Sequence, residues 1–470
     1  MDIRNLVRAV RSYIVLTCFV SLISLNFYVN VWVEDANENF VLELSPDHSS
    51  HPESKYILLG YKNNSSIGNT SKPPSEVTPR NYLEAPMTYG HSDKTKTTSP
   101  PPKLPGLWPE LENYEDDRIE KQLNYRPVSI DTSTTSIPVK TILLYNGYKD
   151  WGVKAGRQTF LEQKCPISHC QLTDNRRYAS SADAVLFRQN PRFPWYRRPP
   201  GQVWILYLLE APYFTPSLRR FNGHFNWTAS YRRDSDIVAP YEKFVKYNRT
   251  VPHIQPKLTK NYAAGKTKKV AWFVSNCRAT NTRLEYAEEL SKYIQVDIFG
   301  KCGDKKCPRG QNSCSEMLNK EYKFYLSFEN SNCRDYITEK FFFTGLQHDV
   351  IPIVMGAAPE DYRRVAPHYS FIHVDEYTSP RELAEYLNDL DQNDDIYNEY
   401  FKWKGTGSFI NTYFWCRVCA MLHDTSRAHT NYGNIEEWWR GRDVCIGRDK
   451  WGQHTRRVPY ISDYYKKYHH

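Results

Sequence analysis

The sequence predicts an α/β fold built from two consecutive units, and three observations support this. Short apolar runs bounded by turn residues recur along the chain, as buried strands of parallel sheets do. Helix-like patterns lie between several of these runs. The polar segment LTKNYAAGKTKK divides them into a first domain over 139–260 and a second domain over 268–415.

The first domain contains four strand-like runs, VKTILLYNG, ADAVLFR, QVWILYLLEAP and SDIVAPY. The second domain contains five: KKVAWFVSN, VDIFG, FYLSFEN, VIPIVMG and SFIHV. A helix is predicted over TRLEYAEELSKYIQ, which places Leu284, Ala287, Leu290 and Ile294 on one stripe. Another is predicted over SPRELAEYLNDLDQ, with Ser379 as its N-cap. Residues 416–470 form a C-terminal extension.

The N-terminus has the pattern of an uncleaved signal anchor. Arg4, Arg8 and Arg11 precede the apolar stretch 13–33, which is long enough to cross a hydrocarbon core of about 30 Å. The basic residues predict a cytosolic tail over 1–12 and a lumenal body, as in a single-pass type II membrane protein. A cleaved signal peptide is the alternative.

Residues 34–138 have the composition of a disordered stem. They are rich in Pro, Ser, Thr, Asn and Lys, as in KTKTTSPPPKLPG. Such a segment buries too little apolar surface to offset the entropy of ordering it.

Cysteines and glycosylation sequons agree with a lumenal body. Of 11 cysteines, Cys18 lies in the apolar stretch, and the other ten predict disulfides without defining their pairing. Five Asn-x-Ser/Thr sequons begin at Asn63, Asn64, Asn69, Asn226 and Asn248.

The charge of the chain favours anionic ligands but not nucleic acid. The net charge is +9 with histidine neutral. No run of Lys and Arg is dense enough for nucleic-acid binding, and no motif for it is present.

Three residues are candidates for chemistry. Glu210 follows the run VWILYLL at a strand end, where open α/β sheets bind ligands, and is a candidate general base. Arg283 follows Thr282, which with Glu285 predicts a capping box, and the helix N-terminus there would attract phosphate. Lys340 would lie in the first turn of a helix, where a cation opposes the helix dipole unless an anion is bound. Solvated surface roles are the alternative for all three.

Two further patterns raise the question of a metal. Asp234-Ser-Asp236 and Asp389-Leu-Asp391 are Asp-x-Asp strings of the kind that hold a nucleotide-bound cation, although so short a string is a weak signal. Cys416 and Cys419 have a zinc-like spacing, but a structural disulfide role is favoured in a lumenal chain.

Longer segments resemble a known family. The run FYLSFENSNCRDYITEKFFFTGLQHDVIPIVMG over 324–356 is similar to the donor-binding signature of the α1,3-fucosyltransferases, glycosyltransferase family 10. FNWTASYRRDSDIVAPY over 225–241 is similar to a second hallmark, and LLEAPYF resembles the family's Glu-Ser-Pro segment with Ala211 in place of Ser. FVSN followed by Arg283 fits the start of its donor domain. The resemblance spans about 139–420.

The resemblance implies a GT-B fold, in which two Rossmann-like domains face each other across a cleft, and no required metal or cofactor. It implies that Glu210 is the base and that Arg283 and Lys340 hold the GDP diphosphate. It places Glu339 near the fucose. Three other residues are implied to belong to the GDP-fucose-binding motif: Glu329, Asn330 and Tyr336.

The resemblance also implies an inverting transfer of fucose from GDP-fucose to N-acetylglucosamine in the Golgi membrane. FWCRVCAMLHD over 414–424 looks more like invertebrate enzymes that act on the Asn-linked residue of N-glycan cores. Three alternatives stay open: a Lewis-type enzyme acting on outer lactosamine units, a metal-dependent glycosyltransferase using Asp234 and Asp236, and a lumenal lectin-like protein that keeps the fold without catalysis. Stimulation by a divalent cation and the oligomeric state also stay open.

Overall fold

Two regions of parallel sheet dominate the part of the chain that the computed structural model describes. The described residues are 107–109, 118–127, 137–248, 250–307, 312–424 and 431–451. Within them, we find no helix whose length and apolar character would suit a membrane crossing. The predicted cytosolic tail, the anchor and the sequons at Asn63, Asn64 and Asn69 lie outside the described residues.

In the first domain, six described strands form a parallel sheet in the order β2-β1-β3-β4-β5-β6. Its side chains alternate between two apolar clusters: Ile142 and Leu144 belong to one, and Leu143 belongs to the other. Both faces are therefore covered, which explains the near-continuous apolar runs in the sequence. The strands are β1 (Lys140–Leu144), β2 (Cys170–Thr173), β3 (Ala184–Arg188), β4 (Val203–Leu208), β5 (Trp227–Ser230) and β6 (Ile237–Val238).

The second domain contains a parallel sheet of five described strands in the order β12-β11-β10-β8-β9. Its central strand, β10, is buried along its whole length. A short antiparallel pair of β7 (Lys243–Lys246) with β13 (Gly407–Ile410) lies outside both sheets. The five strands are β8 (Lys268–Phe273), β9 (Val296–Phe299), β10 (Tyr322–Phe328), β11 (Ile351–Met355) and β12 (Ile372–His373). The predicted α/β fold is confirmed.

The described helices are α1 (Arg118–Asn124), α2 (Gln158–Glu162), α3 (Arg283–Leu290), α4 (Asn312–Glu321), α5 (Pro359–Val365), α6 (Pro380–Gln392), α7 (Asp394–Glu399), α8 (Phe414–Leu422) and α9 (Ile435–Arg440), with a π-helix over Lys340–Leu346. The predicted cap of α6 forms, because the Ser379 hydroxyl accepts a hydrogen bond from the amide of Glu382. Helix α3 ends before Ile294, which is nevertheless buried in the following turn.

Part of the predicted disordered stem is folded onto the first domain. Trp108 packs its ring 5.1 Å from that of Trp227, and Ile119 of α1 is buried. The Gln122 amide donates to the backbone carbonyls of Leu107 and Asp236. The stem prediction averaged composition over 34–138, and so it missed a short apolar segment at its C-terminal end.

The chain returns to the first domain after the second sheet. Helix α8 contributes Trp415, Val418 and Met421 to a core shared with the first sheet. Disulfides Cys165–Cys416 and Cys170–Cys419 fasten this helix. Cys416 and Cys419 therefore have the structural disulfide role that the sequence favours, and each pairs with a first-domain cysteine. The other disulfides among the described residues are Cys277–Cys302, Cys307–Cys314 and Cys333–Cys445.

The two disulfides of α8 close nearly the same loop, with sequence separations of 251 and 249 residues. We expect replacement of either pair by alanine to lower the free energy of unfolding by about 1–2 kcal/mol, because the other pair still closes the loop. Replacing both pairs should cost about 4–5 kcal/mol, more than the sum. Urea unfolding followed by tryptophan fluorescence measures this, and simple additivity of the two losses would contradict it.

Candidate functional site

Glu210 lies two residues beyond the end of β4, at the carboxyl end of the first sheet. Its Oε1 accepts three hydrogen bonds: 2.9 Å from the amide of Ala211, 2.7 Å from the Tyr336 hydroxyl and 3.2 Å from Nδ2 of Asn330. Tyr336 and Asn330 follow β10 of the second domain. The structure thus brings together three of the predicted site residues, one from the first domain and two from the second.

The surroundings of Glu210 hold it in place. Ala211 is fully buried and precedes a 3-10 turn that begins with Pro212. The Tyr241 hydroxyl donates to the carbonyl of Leu209, directly before Glu210, at 3.0 Å. Tyr241 is a site residue that the sequence reasoning missed, although it ends the segment SDIVAPY that was compared with the family.

A second cluster centres on Lys340. Its ammonium lies 3.2 Å from Oε2 of Glu329 and 2.9 Å from Oε1 of Glu339, and it donates to the Thr338 hydroxyl at 3.0 Å. The Glu329 side chain is fully buried, whereas those of Lys340 and Glu339 are 19% and 27% exposed. Lys340 and Glu339 are therefore the members of this cluster that a ligand reaches.

The charged side chains of this cluster shift one another's pKa values. Burial lowers the pKa of Lys340, but the carboxylates of Glu329 and Glu339 outweigh burial and leave it above its ordinary value. Burial likewise raises the pKa of Glu339, and Lys340 brings it below the ordinary value. For Glu329, burial prevails over Lys340 and its pKa is raised. Lys340 thus stays cationic at neutral pH.

The helix that begins at Lys340 differs from the prediction. It is a π-helix, and no side chain caps its N-terminus. Thr338, the predicted cap, instead donates its hydroxyl and its amide to the buried carboxylate of Glu329, each at 2.8 Å. The unfavourable position of a cation at a helix start is thus relieved by two carboxylates of the protein itself.

Glu329 is the buried residue to which Thr338 and Lys340 are bonded. Its side chain is fully buried and bonded to Thr338 and Lys340, so it holds these two residues in place. The implied role of Glu329 in the GDP-fucose-binding motif stays a prediction. Gly356 makes room for the Glu329 side chain, since a Cβ there would lie 2.7 Å from its Cγ. Gly356 also adopts φ +152°, which favours glycine.

Arg283 is buried rather than presented at a helix surface. It is 4% exposed, and its terminal nitrogens donate to the carbonyls of Phe328 and Asn276 at 2.7 and 3.0 Å. Its Nε has no hydrogen-bond partner among the described residues. The predicted capping box is absent because Thr282 adopts a left-handed conformation, φ +55°, and its hydroxyl donates to the carbonyl of Asn281.

The carboxylates of Asp234 and Asp236 accept hydrogen bonds from other residues of the protein. Asp234 binds the Arg232 guanidinium at 2.9 and 2.5 Å. Asp236 accepts from the amide of Thr228 and from the Tyr432 hydroxyl, each at 2.8 Å. This engagement favours a structural role over the metal-binding alternative.

The described residues contain one group with the spacing of a metal site: Cys170, Cys419 and His423. Because Cys170 and Cys419 are joined in a disulfide, their sulfur atoms are not free thiolates for a metal. His423 instead lies 3.0 Å from the carbonyl of His169 through its Nε2.

These features are those of an α/β enzyme: a carboxylate at the end of one parallel sheet is hydrogen-bonded to two residues of the segment that carries Lys340 in the second domain. Two family descriptions match the chain: "Fucosyltransferase, N-terminal" over residues 138–242 and "Glycosyltransferase family 10 (fucosyltransferase) C-term" over residues 263–438. The chain belongs to glycosyltransferase family 10, the fucosyltransferases.

The chain is also similar to named proteins and to a solved structure. The chain is 53% identical over 387 residues to "Glycoprotein 3-alpha-L-fucosyltransferase A" of Drosophila melanogaster, covering 81% of this chain and 75% of that protein. It is 34% identical over 332 residues to "Alpha-(1,3)-fucosyltransferase C" of the same organism, covering 64% and 77%. A solved structure, "Crystal Structure of alpha1,3-Fucosyltransferase with GDP-fucose", matches with a TM-score of 0.39 and 15% identity over 67% of this chain and 97% of that one.

The two described sequons differ in access. Asn226 is 8% exposed, and its side-chain oxygen accepts a hydrogen bond from the amide of Trp204, so this sequon is not available in the folded chain. Asn248 is exposed in a turn, where its side chain accepts from the amides of Thr250 and Val251.

We expect a glycan at Asn248 and none at Asn226 when the body of the chain, starting near residue 107, is secreted from a eukaryotic host. Glycopeptide mass spectrometry measures both positions. Asn248→Gln is the matched control and should remove the modified peptide. A glycan at Asn226 would mean that it is added before β5 pairs with β4.

Proposed function

We propose that this chain is an inverting α1,3-fucosyltransferase that moves fucose from GDP-fucose to the 3-hydroxyl of the Asn-linked N-acetylglucosamine of N-glycan cores. The observation that carries the proposal is the direct hydrogen bonding of Glu210 to Tyr336 and Asn330, which belong to the donor-type segment. A base and a donor site must adjoin for one-step displacement at the anomeric carbon.

In this mechanism Glu210 accepts the proton of the acceptor 3-hydroxyl as its oxygen attacks the anomeric carbon. The bond from that carbon to the diphosphate breaks on the opposite side, so the configuration inverts. Lys340 and Arg283 offset the charge that develops on the departing GDP. Glu339, which lies beside Lys340 and is partly exposed, faces the positive charge that develops on the sugar ring.

Three further features belong to the proposal. The two sheets form a GT-B arrangement with the donor held by the second domain. Transfer needs no metal, which the engagement of Asp234 and Asp236 by Arg232, Thr228 and Tyr432 supports. The enzyme works in the Golgi lumen as a type II membrane protein, which the five disulfides of the described body and the apolar stretch 13–33 support.

The acceptor class is supported by the relative with 53% identity, whose name specifies a glycoprotein. A Lewis-type acceptor is the second candidate, because transfer to a core N-glycan and transfer to an outer lactosamine unit would use GDP-fucose in the same way.

We expect a secreted body starting near residue 107, which retains Trp108 and α1, to transfer fucose to a core N-glycopeptide in excess EDTA and not to a free lactosamine oligosaccharide.

Mass spectrometry would detect the gain of one deoxyhexose. Glu210→Gln should lower turnover by about 10²–10⁴-fold, the usual contribution of a general base, while GDP binding stays unchanged. Turnover near the parent level in this variant would remove Glu210 from the mechanism. Transfer to lactosamine alone would keep the mechanism and replace the acceptor, and loss of all transfer in EDTA would overturn metal independence.

Lys340 should contribute directly to GDP binding. Its removal alone would leave Glu329 charged, buried and unpaired, so a matched pair of variants is needed. We expect the double variant Lys340→Ala/Glu329→Gln to bind GDP about 10- to 100-fold more weakly than Glu329→Gln alone, as lost charge-assisted hydrogen bonds predict.

Isothermal titration calorimetry measures both dissociation constants. Because residue 329 is neutral in both proteins, their difference reports Lys340 and not an unpaired buried charge. Equal dissociation constants would show that Lys340 does not bind the diphosphate.

A further inference from the structure

Tyr213 and Phe214 are exposed aromatic side chains close to Glu210. They are 47% and 41% exposed, and they follow Glu210 by three and four residues. Among the described residues, no other two neighbours in the sequence are both large hydrophobic residues and exposed. A single exposed aromatic residue is ordinary, but two adjacent ones beside the proposed base indicate a binding surface.

The turn that carries the two rings is held by hydrogen bonds. It is a three-residue 3-10 turn that begins at Pro212, and the Phe214 amide donates to the Ala211 carbonyl at 2.9 Å. Pro212 and Thr215, on either side of the two rings, are buried. The Thr215 hydroxyl accepts a hydrogen bond from the Trp439 indole at 2.8 Å. The backbone of the turn is thus fixed to the protein while its two aromatic side chains stay accessible.

The Tyr213 hydroxyl lies beside the part of the C-terminal extension that contacts the second domain. A Cβ at Gly447 would lie 3.9 Å from this hydroxyl oxygen, and Gly447 adopts φ +64°, which favours glycine. Directly before it, the amide of Ile446 donates to the carbonyl of Asn332 at 3.0 Å. The Tyr213 side chain therefore extends from the turn after the proposed base toward the second-domain segment that follows β10.

The stereochemistry of the proposed transfer decides which ligand approaches from the side of the first domain. In an inverting displacement, the acceptor hydroxyl attacks the anomeric carbon from the side opposite to the departing diphosphate. The proposed mechanism holds the diphosphate on the second domain, at Lys340. The acceptor therefore has to approach from the first domain, which carries Glu210 and the two exposed rings.

We propose that Tyr213 and Phe214 form the binding platform for the acceptor oligosaccharide. This inference rests on the proposed role of Glu210 as the base, and it adds residues that hold the acceptor beside that base. A pyranose ring presents an apolar face of C–H groups, and a flat aromatic ring covers this face without competing for the hydroxyl groups. Aromatic side chains also supply a large contact area at a small cost in side-chain entropy.

Tyr213→Ala and Phe214→Ala test the platform. We expect each variant to raise the KM for the core N-glycopeptide about 5- to 30-fold, as the loss of one covered aromatic ring predicts. The kcat at saturating acceptor and the dissociation constant of GDP should stay within about twofold, because a residue that binds the acceptor equally in the ground state and the transition state changes only KM. A lower kcat with an unchanged KM would overturn the inference.

Two controls separate stacking from other effects. Tyr293 is 42% exposed and lies between α3 and β9, at the amino end of the second sheet, whereas the site lies at the carboxyl ends of the strands. Tyr293→Ala should leave the KM within about twofold of the parent value, and an equal rise in KM there would overturn the platform. Tyr213→Phe keeps the ring and should rescue the KM that Tyr213→Ala loses. A KM as high as that of Tyr213→Ala would assign the effect to the hydroxyl and overturn stacking.

The same assay separates this inference from the function on which it rests. If the parent protein transfers fucose to neither the glycopeptide nor lactosamine, the proposed function fails and the platform fails with it. If the parent transfers fucose to the glycopeptide and both alanine variants keep the parent KM, only this inference fails. If the parent transfers fucose to lactosamine alone, the KM comparison is made with that acceptor, and unchanged KM values in both alanine variants would again overturn the platform.

Discussion

The buried carboxylate of Glu329 is the constraint on which much of the site depends. A fully buried charge costs several kcal/mol unless it is paired and hydrogen-bonded. Thr338 supplies two donors and Lys340 supplies the countercharge, and both lie in the segment that carries the start of the π-helix. Gly356 at the end of β11 leaves the space that the carboxylate occupies. The buried carboxylate of Glu329 thus fixes the positions of Thr338 and Lys340 in the second domain.

The first domain is joined to that face by the return of the chain. Helix α8 is fastened to the first sheet by two disulfides, and α9 places Trp439 where its indole donates to the Thr215 hydroxyl, five residues beyond Glu210. The next segment reaches the second domain, where Cys445 is joined to Cys333 and the Trp451 indole donates to the carbonyl of Gly356 at 2.8 Å. The C-terminal extension therefore contacts the segment that follows Glu210 in the first domain and Gly356, which packs against Glu329, in the second.

The sequence was most informative where local pattern and chain order suffice. The apolar runs located the strands because parallel strands are buried on both faces, and Ser379 identified the start of α6 because a cap is a local interaction. Their segments named five residues as candidates, and the structure places them in two clusters: Glu210 with Asn330 and Tyr336, and Glu339 with Lys340.

The misses involve contacts between residues distant in sequence. From the sequence alone, Thr338 has the pattern of a helix cap. In the structure its hydroxyl instead donates to the buried carboxylate of Glu329, nine residues earlier, which has to be hydrogen-bonded. Asn226 satisfies the sequon rule, yet its side chain is an internal partner of the amide of Trp204. Trp108 and α1 lie in a segment of disordered composition and become ordered only because the core of the first domain accepts their apolar side chains.

The two cations of the site are held differently, and this decides how each acts on an anionic ligand. Lys340 is paired with two carboxylates and is partly exposed, so in the proposed mechanism a diphosphate would share its donors with Glu339. Arg283 donates to neutral carbonyls, and no carboxylate among the described residues forms an ion pair with it. Burial lowers its pKa, and the nearby charge of Glu329 opposes this shift. Since a buried charge is weakly screened, in the proposed mechanism Arg283 would act on the diphosphate through the protein, while the partly exposed Lys340 would donate the hydrogen bond.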